Sequence, residues 1–324
     1  MMKSIPLSNY FPSVSSIGLG CMGFGGDWSA EPFTPAHITE LHQALDAALE
    51  GNINFIDHAD IYTLGKAEAV FGEVLKQRPE LREQFVIQSK CGIKFDDDKG
   101  PARYDFSKSW ITQSVEGILA RLNIEQLDIL LLHRPDPLME LDDVAEAFNQ
   151  LIEQGKVKHF GVSNMHDYQM AYLQSGLQQP LVANQLEMSL RNLDWLNESV
   201  NAGMSSGTTN HFSPGIVEYC RSNNVQIQAW GCLAQGLFSG RNLDGQPENV
   251  IATANLVAMM AAEFNVSKEA IVLAWLMRHP ANIQPIIGTT NPQRIQACAQ
   301  ATKVQLSREQ WYQLYVTSRG ERMP

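Results

Sequence analysis

LDILLLH, residues 127–133, is an apolar run of strand length that ends in a histidine. Its apolar residues are consecutive rather than alternating. That fits a strand buried on both faces, as in a parallel sheet covered by helices. Seven further runs share the pattern, at residues 16–20, 54–57, 85–90, 157–162, 181–185, 225–230 and 284–287. The segments between them carry helical spacing. Residues 35–50 place Ile38, Leu41, Leu45 and Leu49 on one stripe, after Thr34 as an N-cap and Pro35 at the first helical position. Residues 141–154 stop at Gly155, and residues 269–278 begin after Ser267 and stop before Pro280. Eight strands alternating with helices predict an α/β fold, a (β/α)8 TIM barrel. We expect one domain over residues 1–324, with a short N-terminal hairpin from residues 1–15 sealing the barrel bottom. Residues 191–213, after the sixth strand, form a long polar segment.

Bulk properties narrow the function. Of 324 residues, 44% are hydrophobic and 18% charged, ordinary proportions for a globular enzyme with a large core. The formal net charge of −11 argues against nucleic acid and anionic membrane as partners. The five cysteines, Cys21, Cys91, Cys220, Cys232 and Cys298, form no CxxC pair and no metal-ligand spacing. They fit a reducing, cytoplasmic setting. The N-terminal residues lack the apolar core of a signal peptide, and no apolar stretch approaches the ~20 residues that span a bilayer.

Gly18-Leu19-Gly20-Cys21-Met22-Gly23 matches G-x-G-x-x-G. A dinucleotide-binding turn needs a helix to open at the third glycine. Phe24-Gly25-Gly26-Asp27-Trp28 follows instead, then Pro32 and Pro35. The reading is a glycine-rich loop after the first barrel strand, where backbone approaches a partner closely. Gly20 and Met22 are therefore candidate cofactor contacts.

Four polar residues sit at or beyond the C-terminal ends of early strands: Asp57, Tyr62, Lys90 and His133. In a parallel barrel all such ends point to one mouth. Their chemistry suits a carbonyl that accepts a hydride and a proton. Tyr62 is a weak acid whose phenolate a nearby ammonium favours, and Lys90 supplies that ammonium. Asp57 pairs with Lys90, and a neutral His133 shares the carbonyl oxygen.

These residues lie in motifs that resemble the aldo-keto reductase superfamily: NFIDHADIY (54–62), QSKCG (88–92), LLHRPDP (131–137), GVSN (161–164), NQLEMS (184–189), AWGCLAQG (229–236) and IIGTTNPQRI (286–295). They follow the family's order and span nearly the whole chain. The resemblance implies a barrel that binds NADPH, or less often NADH, and reduces aldehydes or ketones. It implies Asp57, Tyr62, Lys90 and His133 as the catalytic tetrad, with Tyr62 as general acid. It places Ser163, Asn164 and Gln185 on the nicotinamide carboxamide and Trp230 on the nicotinamide ring. Gly231 and Leu233 would line the pyrophosphate, and Thr289, Thr290, Asn291 and Arg294 the adenosine end. Gly288 stands where many NADPH-preferring members carry a basic residue, which leaves Arg294 as the obvious cation. No metal is implied, the partner is a small carbonyl, and a monomer is expected.

Residues 94–109 and 191–213 are candidate substrate rims, with Phe24, Trp28 and Phe95 as apolar walls. The short stretch after the last helix predicts an open pocket. Two other functions compete. One is a regulatory barrel that binds cofactor but turns over little. The other is a metal-dependent lyase or isomerase, for which Asp57, His58 and Asp60 are the one acidic and histidine cluster.

Overall fold

The computed structural model describes residues 4–324, with Thr208 described by its backbone alone. Its strands are β1 (Gly18–Gly20), β2 (Phe55–Asp57), β3 (Val86–Cys91), β4 (Ile93–Lys94), β5 (Arg103–Tyr104), β6 (Leu127–Leu132), β7 (Val157–Ser163), β8 (Leu181–Glu187), β9 (Gln226–Trp230) and β10 (Gln284–Ile287). All except β4 and β5 pair in parallel and close a barrel in the order β1-β10-β9-β8-β7-β6-β3-β2. The eight apolar runs are thus the eight barrel strands. The glycine-rich motif opens as β1, and the next helix starts only at Pro35. This is not a dinucleotide-binding turn.

Strand alternation sorts the side chains. On β6, Leu130 and Leu132 join the large core between barrel and helices, while Ile129 and Leu131 join a smaller cluster inside the barrel. On β3, Ile87 and Cys91 face the outer core and Val86 the inner one. The period of two then sends Gln88 and Lys90 inward. Close approach forces a glycine at Gly161, where an added Cβ would lie 2.6 Å from the Ala183 carbonyl oxygen. The outer helices use the expected caps. Thr34 precedes the helix Pro35–Glu50, and the Ser267 hydroxyl accepts from the Ala270 N–H (3.1 Å) at the start of the helix Lys268–Met277.

The expected N-terminal hairpin does not form. Residues 1–3 lie outside the described residues, and Pro6–Asn9 is a turn of 3₁₀ helix. Pro6 and Pro12 have no N–H to give to a ladder, which disfavours strand pairing here. Sealing is achieved another way. Ile5, Leu7 and Val14 are buried against Phe55, Val86, Ile129 and Ile286 in the inner cluster. The Leu7 N–H also reaches Gln226 Oε1 (3.5 Å).

The two candidate rims differ from plain loops. β4 and β5 form a small antiparallel hairpin within residues 93–104, tied by an Arg103–Asp97 ion pair (2.9 Å). Residues 191–213 contain a helix, Asp194–Val200, that buries Trp195 and Leu196. Trp195 packs edge-on to Trp275 at 5.7 Å. Phe24 is fully buried core rather than a pocket wall, whereas Trp28 and Phe95 are exposed.

Leu7 is inaccessible to solvent, so Leu7→Ala should cost about 2–5 kcal/mol. Urea unfolding should show a lower midpoint for this variant and no shift for Leu138→Ala, whose side chain is 86% exposed. An unchanged midpoint for Leu7→Ala would show that the plug adds nothing to stability.

Candidate active site

Asp57 closes β2, Lys90 lies near the end of β3, and His133 follows β6 directly. The loop after β2 carries Tyr62 back over the mouth. Lys90 is wholly buried, and its three N–H donors need acceptors. Nζ lies 2.8 Å from each Asp57 carboxylate oxygen, 2.9 Å from the His58 carbonyl and 3.0 Å from the Tyr62 hydroxyl. The His133 ring meets the Tyr62 ring edge-on, with centroids 6.0 Å apart. The structure therefore brings all four residues together.

Their electrostatics follow from burial and charge. Burial opposes the Lys90 ammonium, but Asp57 and then Tyr62 outweigh it and hold its pKa above the ordinary lysine value. Burial likewise raises Tyr62, and the opposing pull of Lys90 does not cancel it. The expected lowering of the Tyr62 pKa is thus reversed in net effect. Burial, then the Lys90 and Arg134 charges, lower His133 to about 2, so its ring is neutral at physiological pH.

The loop that carries Tyr62 is held from behind. Thr63 and Leu64 adopt positive φ (46° and 60°), an unfavourable region for branched side chains. The Thr63 hydroxyl reaches the Phe24 carbonyl (3.0 Å), and the Asp60 N–H donates to the Lys90 carbonyl (3.0 Å). Behind them, buried Glu68 accepts from Ser89 Oγ (2.5 Å) and Arg121 Nε (2.8 Å). Burial, then Glu68, pushes Asp60 up to about 7. His58 is fully buried edge-on to Phe71, and burial followed by the Lys90 charge lowers it to about 3. This buried setting does not suit a metal ligand, and no group of metal-ligating side chains occurs among the described residues.

Next to the tetrad, Ser163 Oγ donates to the Gln185 carbonyl (3.0 Å). Asn164 Nδ2 reaches Ser163 Oγ (2.7 Å) and the His133 carbonyl (3.3 Å), and Trp230 Nε1 donates to Asn164 Oδ1 (3.1 Å). Gln185 Nε2 faces Asp57 Oδ1 (3.0 Å) and Gln228 Oε1 (3.1 Å). Its own Oε1 takes no hydrogen bond among the described residues. Gly231, exposed and with φ of 65°, leads to half-buried Leu233.

The adenosine candidates sit apart, beyond β10. Asn291 caps the helix Pro292–Ala299 through the Arg294 N–H (3.1 Å). Thr289 and Thr290 are half-buried, and the exposed Arg294 guanidinium has no acidic partner among the described residues. An added Cβ at Gly288 would meet nothing within 4 Å, so the backbone there is open. At Gly20, by contrast, a Cβ would crowd Ile286 Cγ2 (3.1 Å) and the Ile287 carbonyl (3.2 Å). Barrel closure accounts for that glycine. Met22 is 53% exposed on the following loop. An open backbone, a free amide oxygen, a half-exposed indole and an unpaired guanidinium together fit a nicotinamide dinucleotide.

Sequence reasoning missed several residues. Arg134 stands 5.8 Å from the Trp230 ring and helps lower His133. Glu68 and Arg121 support the Tyr62 loop from two helices. Gln88 and Gln228 join Gln185 beneath Asp57. The signal for the glutamines was present, since each lies two residues before or one strand across from a mouth residue and so faces inward. All five cysteines are free and buried. Burial pushes the thiols of Cys21 and Cys91 well up and Cys232 up to about 12, which disfavours the reactive thiolate.

The model of the Aldo/keto reductase family matches residues 16–315. The oxidoreductase YdhF of Escherichia coli is 36% identical over 100% of both chains. A 6-dehydroglucose reductase of Agrobacterium fabrum is 34% identical over 99% of both. An aldo/keto reductase from Klebsiella pneumoniae, solved with NADP and acetate, shares the fold with a TM-score of 0.70 and 23% identity, covering 93% of this chain and 90% of its own. The chain belongs to the aldo/keto reductase family.

Proposed function

We propose that the protein reduces a small aldehyde or ketone to an alcohol with NADPH, and that Tyr62 is the general acid. The observation that carries this reading is the 3.0 Å contact between Lys90 Nζ and the Tyr62 hydroxyl, beside a neutral His133. The cofactor supplies the hydride when bound. The chain's own residues handle the proton and the developing negative charge. Tyr62 gives its phenolic proton to the carbonyl oxygen, and the adjacent Lys90 ammonium stabilises the phenolate left behind. Neutral His133 donates a hydrogen bond to the same oxygen without competing for the proton. Asp57 keeps Lys90 charged and aimed.

The cofactor contacts follow the same reading. Ser163, Asn164 and the free Gln185 oxygen would hold the carboxamide, and the Trp230 indole would offer the ring a flat face. Gly231, Leu233 and the open backbone at Gly288 would line the phosphates, with Gly20 and Met22 across the mouth. Thr289, Thr290, Asn291 and Arg294 hold the adenosine end. The unpaired Arg294 guanidinium favours NADPH over NADH, because a 2′-phosphate gives it a fork-shaped partner. A monomer in the cytoplasm is part of this proposal; five free cysteines in a fold with no need of disulfides support the cytoplasmic setting.

Turnover with an activated aromatic aldehyde and a 1,2-dicarbonyl, followed by cofactor absorbance, tests the chemistry. Wild type should turn over faster with NADPH than with NADH. Tyr62→Phe should lose about 10²–10⁴-fold in kcat while still quenching tryptophan fluorescence on binding cofactor. A Tyr62→Phe enzyme as active as wild type removes the assignment, and a wild type that binds NADPH without turnover favours a regulatory barrel.

The pH dependence has a definite sign. The Tyr62 pKa is raised, so the proton donor is present throughout neutral pH and is lost only as pH rises through that pKa. Reduction should therefore hold its rate from about pH 6 to about pH 9, whereas the reverse oxidation, which needs phenolate, should climb with pH. A loss of reduction centred on about 7, where Asp60 titrates, would assign the limb to the loop behind Tyr62 instead.

A further inference from the structure

Asp57 is met by more donors than Lys90 alone. Its Oδ1 also accepts from Gln88 Nε2 (2.6 Å) and Gln185 Nε2 (3.0 Å). Both amides turn their second N–H to one atom, Gln228 Oε1, at 2.9 Å and 3.1 Å. Gln228 Nε2 in turn donates to Gln88 Oε1 (3.2 Å) and Gln284 Oε1 (3.1 Å), and Gln284 Nε2 ends the chain on the Ser15 carbonyl (2.8 Å). Gln88, Gln228 and Gln284 are fully buried and Gln185 is 2% exposed.

The orientation of every amide in this set is dictated by one charge. An ionised carboxylate only accepts, so Gln88 and Gln185 must present nitrogen to Asp57. Each of those nitrogens has one further proton, and both need an acceptor. Gln228 must therefore present oxygen, and its nitrogen must look to Gln88 and Gln284. Gln228 thus makes four hydrogen bonds and none touches Asp57. A buried amide network of this kind is costly unless complete. Three side chains of the barrel's middle layer are spent on orienting one carboxylate.

We propose that Gln228 is a positioning residue for the reaction, fixing the Asp57–Lys90 pair beneath Tyr62 through Gln88 and Gln185. This rests on the reading of Tyr62 as proton donor. Without the Gln228 oxygen, both neighbouring amides keep an unsatisfied buried N–H and rotate to find another acceptor. The Asp57 carboxylate then loses the donors that hold its plane, and Lys90 loses its aim at Tyr62.

Gln228→Met keeps the side-chain volume and removes both polar ends. Acting through Gln88 and Gln185, then Asp57 and Lys90, it should lower kcat about 10-fold, the lower end of what outer-shell partners of metal ligands cost, with carbonyl KM within about twofold. Gln228→Glu adds a readout that a packing role would not give. A Glu here keeps the acceptor oxygen for Gln88 and Gln185, and burial beside Asp57 holds it protonated through neutral pH, so kcat should recover well above the Gln228→Met level. A crystal structure of Gln228→Met provides a test that needs no turnover. The Gln88 and Gln185 amides should have left Asp57, and amides that both stay within hydrogen-bond distance of Asp57 Oδ1 overturn the proposal. Wild-type kcat in Gln228→Met overturns it too, as does a Gln228→Glu enzyme no more active than Gln228→Met. A wild type inactive on every carbonyl, with those amides displaced in the variant structure, would sink the reductase reading while leaving the positioning of Asp57 supported.

Discussion

A lysine ammonium with no access to water sets the terms for the rest of this barrel. Lys90 is buried, and a buried charge left without its partner costs about 3–5 kcal/mol. The Asp57 carboxylate, the His58 carbonyl and the Tyr62 hydroxyl meet its donors together. Each of those acceptors brings a structural demand. The His58 carbonyl and Tyr62 hydroxyl fix the path of the loop after β2, including left-handed Thr63 and Leu64. Asp57 demands donors of its own, which the glutamines of β3 and β8 supply, both held in turn by Gln228 of β9. The polar middle of the barrel is therefore one connected solution to one desolvated charge.

The layers above and below separate two tasks. Below, Phe55, Val86, Ile129 and Ile286 form a dry inner cluster, plugged from beneath by Ile5, Leu7 and Val14. Above, Trp230, Asn164 and Ser163 are linked by hydrogen bonds beside His133. The first arrangement excludes water from the Asp57–Lys90 pair and raises the energetic stake of its geometry. The second offers a half-exposed face where a flat ring and an amide find partners. The adenosine end depends on neither, since Arg294 and Asn291 belong to a helix start beyond β10.

How far the sequence carried depends on the range of the interaction. LDILLLH (127–133) and its seven counterparts were legible because burial on both faces leaves a continuous apolar run. The convergence of Asp57, Tyr62, Lys90 and His133 was legible because strand C-termini in a parallel barrel share a mouth. The N-terminal segment was misread, since its apolar residues suit a plug as well as a hairpin and Pro6 and Pro12 tip the balance. The helix Asp194–Val200 was hidden by polar neighbours around Trp195 and Leu196. Glu68 and Arg121 are 53 residues apart, and no local pattern announces their pairing. The direction of the Tyr62 shift was beyond reach for another reason: it is a balance between burial and one nearby charge, and burial is a property of the folded chain.

Everything above turns on Lys90 staying charged in a site closed to solvent. The most direct measurement is the ¹⁵N resonance of Lys90 Nζ in lysine-labelled protein, assigned through its contact with Tyr62 and followed from about pH 6 to about pH 10. An ammonium shift throughout is the predicted result, because Asp57 and Tyr62 hold the pKa above the ordinary lysine value. A neutral amine anywhere in that range would contradict it.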